Sequence, residues 1–212
     1  MRLGVLVALA LTLLTAAPAL AQTSREGALQ ALRLPDPEAR RQGVRTLVEK
    51  GIADDAPRLV EALRDSDVAV RRLAERALWA VWSRSGDPDV DRLFAIGVAQ
   101  MNERQALAVD TFSEIIRRKP EFAEGWNKRA TVYYLLGDYP RSLADCDEVM
   151  KRNPYHFGAL SGYGMIYLQL GDPARALGYF ERALAVNPNL ESVTETVQML
   201  RRLLIERRRD AI

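Results

Sequence analysis

Residues 133–154 read YYLLGDYPRSLADCDEVMKRNP, and residues 167–188 read YLQLGDPARALGYFERALAVNP. Laid over one another at an offset of 34, they share eight residues. Tyr133, Leu136, Gly137, Asp138, Arg141, Leu143, Asn153 and Pro154 recur as Tyr167, Leu170, Gly171, Asp172, Arg175, Leu177, Asn187 and Pro188. A fixed period of this length is the mark of a stacked repeat. Each copy describes a helix hairpin. In the later one, Leu160, Tyr163, Gly164, Tyr167 and Leu168 form an apolar stripe at helical spacing. Gly171-Asp172-Pro173 breaks that helix, with Asp172 placed to cap the next and Pro173 at its first position. Ala176, Phe180, Ala183 and Leu184 form a second stripe, and Asn187-Pro188 ends it.

These positions resemble the tetratricopeptide repeat (TPR). Its pattern sets large, small and aromatic residues in the first helix, then Ala, Phe and a closing Pro. Residues 157–190 match with Leu160, Tyr163, Gly164, Tyr167, Ala176, Phe180 and Pro188. Residues 123–156 match with Trp126, Ala130, Tyr133, Ser142 and Pro154, and depart at Arg129, where the pattern has Leu, and at Cys146, where it has Phe. The resemblance places Trp126 in the core. Residues 89–122 resemble a degenerate copy, with Leu93, Phe94, Gly97, Ala108, Phe112 and Pro120. Gly97 stands one residue out of register and Glu103-Arg104 replaces Gly-Asp, as a one-residue deletion at the turn would produce.

The preceding segment repeats at a different offset, 31. Ala31, Leu32, Arg33, Asp36, Arg40, Arg41, Arg45 and Leu47 return as Ala62, Leu63, Arg64, Asp67, Arg71, Arg72, Arg76 and Leu78. Each unit reads as a short helix, a tight turn and a longer helix capped by Asp36 or Asp67. This layout resembles short HEAT-like repeats and is assigned to residues 22–85, with Ser85-Gly86-Asp87-Pro88 as the break before the TPR array at 89–190. After that array, residues 191–212 carry Val193, Val197, Leu200 and Leu204, which with Leu190 step by three or four. A terminal amphipathic helix of this kind covers the last apolar face of a stack. The expected fold is all-α, an α-α superhelix.

The chain opens with Met1-Arg2, an apolar run from Leu3 to Leu14, and Ala19-Leu20-Ala21. This is the order of a secretory signal peptide, residues 1–21, cleaved after Ala21. The apolar run is short of the ~20 residues that a spanning helix needs. The basic residues are 26 Arg and 4 Lys. With abundant Ala they suggest a GC-rich bacterial genome, and with the leader they place the protein in the periplasm or outside the cell. A formal net charge of +2 gives no general pull toward nucleic acid or anionic membrane.

Nothing in the sequence carries catalysis: H-E-x-x-H, G-x-S-x-G and phosphate-loop motifs are absent. Cys146 is the only cysteine and His156 the only histidine. One of each cannot build a metal site of His and Cys ligands, and no cofactor or metal is expected. Cys146, at a buried position, reads as an inert thiol, and His156, at the turn between two repeats, as a solvated side chain. Trp79 and Trp82 read as packing residues. Arg201, Arg202, Arg207, Arg208 and Arg209 read as a solvated helix face, with binding to a membrane surface as the alternative function.

The resemblance to TPR proteins implies a non-catalytic adaptor or scaffold. In that family the first helices of successive repeats line a concave groove that holds a protein or peptide partner. Carried over position by position, the lining comprises Asn127, Thr131, Tyr134, Ser161, Met165 and Leu168, with Lys128 and Gln169 at its edge. The Lys, Asn and Arg set by which some TPRs clamp a C-terminal carboxylate is present only in fragments, so that specificity is not carried over.

Overall fold

The computed structural model describes residues 24–210. The expected signal peptide lies outside them. Every regular element among the described residues is helical: α1 (Arg25–Ala31), α2 (Pro37–Lys50), a 3-10 turn (Ala53–Asp55), α3 (Ala56–Ala62), α4 (Val68–Trp82), α5 (Pro88–Gln100), α6 (Gln105–Arg118), α7 (Ala123–Leu135), α8 (Tyr139–Arg152), α9 (Phe157–Gln169), α10 (Pro173–Val186) and α11 (Glu191–Arg209). The chain is an all-α fold. It divides into two compact units, Met1–Val81 and Trp82–Ile212.

In the first unit, Asp36 accepts hydrogen bonds from the Glu38 and Ala39 amides and so starts α2, with Pro37 at its first position. Val44 and Leu47 on α2 and Leu59, Leu63, Val70, Ala74 and Leu78 further on are fully buried. The 31-residue period has a visible cause. Arg40 donates to the Leu34 and Pro35 carbonyls at 3.0 and 2.7 Å. One period later, Arg71 donates to the Asp65 and Ser66 carbonyls at 2.8 and 3.3 Å. Each arginine thus closes the turn that leads into its own helix. Arg40 also grips Asp65 through two bonds of 2.7 and 2.8 Å.

The second unit is a run of hairpins, α5/α6, α7/α8 and α9/α10, closed by α11. Gly137 and Gly171, at φ 74° and 73°, take the left-handed conformation that ends α7 and α9. The amides of Asp138 and Asp172 return to the Tyr133 and Tyr167 carbonyls, both at 2.9 Å. The same two aspartates then cap α8 and α10 by accepting from Arg141 and Arg175. The Gly-Asp pair therefore stops one helix and starts the next. The α5/α6 turn lacks it, and Arg104 makes no side-chain cap for α6.

Inside the α5/α6 and α9/α10 hairpins a small residue on the first helix faces a large one on the second. A Cβ added at Gly164 would lie 2.6 Å from the Phe180 ring, and one at Gly97 would lie 2.7 Å from the Phe112 ring. Gly97 thus performs in α5 the task of Gly164 in α9, with one residue fewer between it and its phenylalanine. Val193, Val197, Leu200 and Leu203 of α11 pack on Ala176 and Phe180. Leu203, one residue before the Leu204 expected from the spacing, extends this apolar stripe.

Candidate functional site

The central hairpin, α7/α8, departs from its neighbours. Ala130 stands where Gly164 does, and Cys146 where Phe180 does. The methyl of alanine takes up only part of the room that a phenylalanine ring would fill. A cavity of about 110 Å³ remains between α7, α8 and α9. Asn127, Ala130, Thr131 and Tyr134 line it from α7, Ser142 and Cys146 from α8, and Gly158, Ala159, Gly162, Met165 and Ile166 from α9.

Four of the eight residues expected at the partner site meet there: Asn127, Thr131, Tyr134 and Met165. Thr131 and Met165 are exposed, and Tyr134 is half-buried. The Tyr134 ring lies 5.9 Å from that of Tyr139. Gln169, on the next repeat, reaches the Tyr134 hydroxyl at 3.5 Å. The other members are engaged elsewhere. Ser161 donates to the Phe157 carbonyl, and Leu168 packs into the core that α10 and α11 share. Lys128 pairs with Glu124 at 3.1 Å.

Beside this cavity lies a buried polar cluster that contradicts the expectation of a solvated His156. The side chains of His156 and Glu124 are both fully buried, with Nε2 2.8 Å from the Glu124 carboxylate. Nδ1 accepts the Ala159 amide at 3.0 Å, which makes His156 the N-cap of α9. A nitrogen that accepts an N–H carries no proton, so the ring proton sits on Nε2 and is donated to Glu124. The imidazole also stacks on Trp82, with centroids 4.7 Å apart. Asn127 donates to the same carboxylate at 3.1 Å. Burial pushes the Glu124 carboxyl up, but the His156 and Asn127 hydrogen bonds and the Lys128 charge outweigh it and hold the group below its ordinary value. No local signal in the sequence marks this cluster, because its members come from different helices.

Two further residues differ from expectation or account for a departure. Trp126 is half-buried and not part of the core. Its indole N–H donates to the Pro120 carbonyl at 2.9 Å, and the guanidinium groups of Arg129 and Arg152 lie 5.1 and 4.7 Å from its ring centre. Arg129, where the repeat pattern has leucine, makes two bonds of 2.8 Å to the buried Asp145 and one of 2.9 Å to Ser113. An ion pair within the α7/α8 hairpin, with a hydrogen bond to α6, therefore stands where the pattern has leucine. Cys146 is buried, and burial together with Asp145 and Asp147 pushes its thiol up to about 12. At neutral pH it stays protonated, as an inert thiol should.

Among the described residues no group of three His, Cys, Asp or Glu side chains is placed to hold a metal ion. No helix among them is long and apolar enough to cross a membrane.

Comparison with known proteins places these hairpins. Residues 121–189 match the tetratricopeptide repeat family model. A TPR repeat-containing protein of Rhizobium etli is 36% identical over 120 residues, which cover 56% of this chain and 59% of that one. The chain thus spans less than two thirds of that relative. Among solved structures, the TPR domain of Sgt2 from Aspergillus fumigatus superposes with a TM-score of 0.55 at 20% identity, covering 59% of this chain and 85% of that one. The first TPR of Spaghetti, bound to the HSP90 peptide SRMEEVD, gives 0.52 at 20% identity, covering 55% and 93%. At such identities the likeness is one of fold. Residues 121–189 of this chain are similar in sequence to tetratricopeptide repeats.

Proposed function

We propose that the protein is a non-catalytic adaptor or scaffold that holds a segment of a partner protein across α7 and α9. The observation that carries this reading is the meeting of Asn127, Thr131, Tyr134 and Met165 around one cavity between successive hairpins. Tyr offers a large ring and a hydroxyl at low rotamer cost, which suits a binding anchor. Met165 adds an adaptable apolar surface. The Spaghetti domain, of like fold, holds a peptide, and that supports the same use here. The membrane-surface alternative has less behind it, since Arg201 of the basic helix is already paired with Glu181 at 2.7 Å.

We place the protein in the periplasm or outside the cell, on the strength of the Arg2, Leu3–Leu14 and Ala19-Leu20-Ala21 order. N-terminal sequencing of the exported protein is expected to begin at Gln22; a start at Met1 would refute cleavage. We also read residues 22–85 as HEAT-like repeats, on the strength of the 31-residue period.

A pull-down from an envelope extract, read by mass spectrometry, identifies the partner. Tyr134→Ala is then expected to weaken binding by about 2 kcal/mol, measured by calorimetry, with the melting temperature little changed. Binding at the original affinity, or a large fall in melting temperature, would move the site away from Tyr134.

A further inference from the structure

Resting on the reading of α7 and α9 as a partner site, we propose that the cavity floored by Cys146 is a specificity pocket for one uncharged aliphatic side chain of the bound segment. The flanking hairpins show what closes such a space. Phe112 and Phe180 are buried against Gly97 and Gly164. With Ala130 and Cys146 in their places, the central hairpin leaves the space open toward the exposed Thr131 and Met165.

The lining selects the occupant by charge and by polarity. None of the eleven lining residues is Asp, Glu, Lys, Arg or His, so nothing there would balance a buried charge. The hydroxyl donors of Ser142 and Thr131 are committed already. Ser142 donates to the Ala130 carbonyl at 2.7 Å, and Thr131 to the Asn127 carbonyl at 2.9 Å. Asn127 gives an amide hydrogen to Glu124. The protonated thiol and the faces of Ala130, Ala159, Gly162 and Ile166 complete an apolar wall.

An opening of about 110 Å³ has room for the side chain of leucine, isoleucine or methionine. A leucine inserted here leaves water for this apolar wall.

The test uses the full chain and blocked amino acids as probes. N-acetyl-leucine N-methylamide is titrated into isotope-labelled protein and followed by NMR. Saturable shifts are expected at Ala130, Cys146 and Gly162. The lysine analogue is expected to give none at these positions. Two variants fill the cavity. A130G/C146F installs the Gly–Phe pair found at 164 and 180. G162L extends a side chain from a position where an added Cβ meets only the Cys146 sulfur, at 3.8 Å. Each is expected to weaken leucine-probe binding at least about tenfold, and circular dichroism reports whether each folds. Absence of shifts with the leucine probe, equal shifts with the lysine probe, or unchanged binding in whichever variant folds would overturn the pocket. A partner that needs Tyr134 yet binds A130G/C146F as tightly as the parent would overturn the pocket and leave the groove standing.

Discussion

Glu124→Ala is expected to destabilise the second unit by about 3 kcal/mol, measured by urea unfolding. The side chain is fully buried, and it receives the His156 ring at 2.8 Å, the Asn127 amide at 3.1 Å and the Lys128 ammonium at 3.1 Å. Removing the carboxylate takes the shared acceptor from all three at once. Buried donors that lose their acceptor are costly. Glu124→Gln retains one acceptor oxygen and is expected to cost less than half as much.

The effect carries a pH signature. The folded carboxyl is held below its ordinary value of 4.5. Its ionised form therefore stabilises the fold fully above that value. The contribution is lost as pH falls through the lower folded value. Below neutrality the stabilities of the parent and Glu124→Gln should converge as pH drops through this window. A gap between them that holds constant down to strong acid would show that Glu124 does not act through its charge.

Phe180→Ala is expected to cost about 4 kcal/mol. The ring is only 2% exposed and packs with Ala176, Val197 and Leu200. Gly164 is bare so that this ring can approach it. The truncation therefore empties the joint between α9, α10 and α11. At the equivalent position of the central hairpin, Cys146→Ala removes one sulfur beside an existing cavity and should cost about 1 kcal/mol. Equal losses at the two positions would contradict this difference in packing between the two hairpins.

The repeat architecture was legible because its signals are local. Gly137-Asp138 and Gly171-Asp172 each end one helix and cap the next within a few residues. Their recurrence after 34 residues needs no knowledge of distant contacts. In the α5/α6 hairpin Gly97 and Phe112 keep their facing roles despite the shortened turn.

His156 was misread for the opposite reason. Beside Asn153, Pro154 and Tyr155 it looks like a turn residue. Its burial depends on Glu124 and Trp82, which arrive from other helices. Trp126 was placed in the core by its position in the repeat pattern. Arg129 in place of leucine pairs with Asp145 and, with Arg152, covers the indole, leaving the ring at the half-exposed border. Of the candidate site, the residues on α7 came from the position-by-position resemblance to the repeat. The cavity behind them was not legible, because it required reading Ala130 and Cys146 together, as two halves of one missing Gly–Phe contact.

The central claim is that partner contact runs across α7 and α9, and site-specific photocrosslinking tests it most directly. A crosslinking residue is placed at Met165, in the lining, and separately at Lys151, on α8 outside it; both positions are exposed. In cells, light should join the partner to position 165 and not to position 151, and adding Tyr134→Ala should abolish the adduct. An adduct at 151 with none at 165, or one at 165 that survives Tyr134→Ala undiminished, would contradict the account.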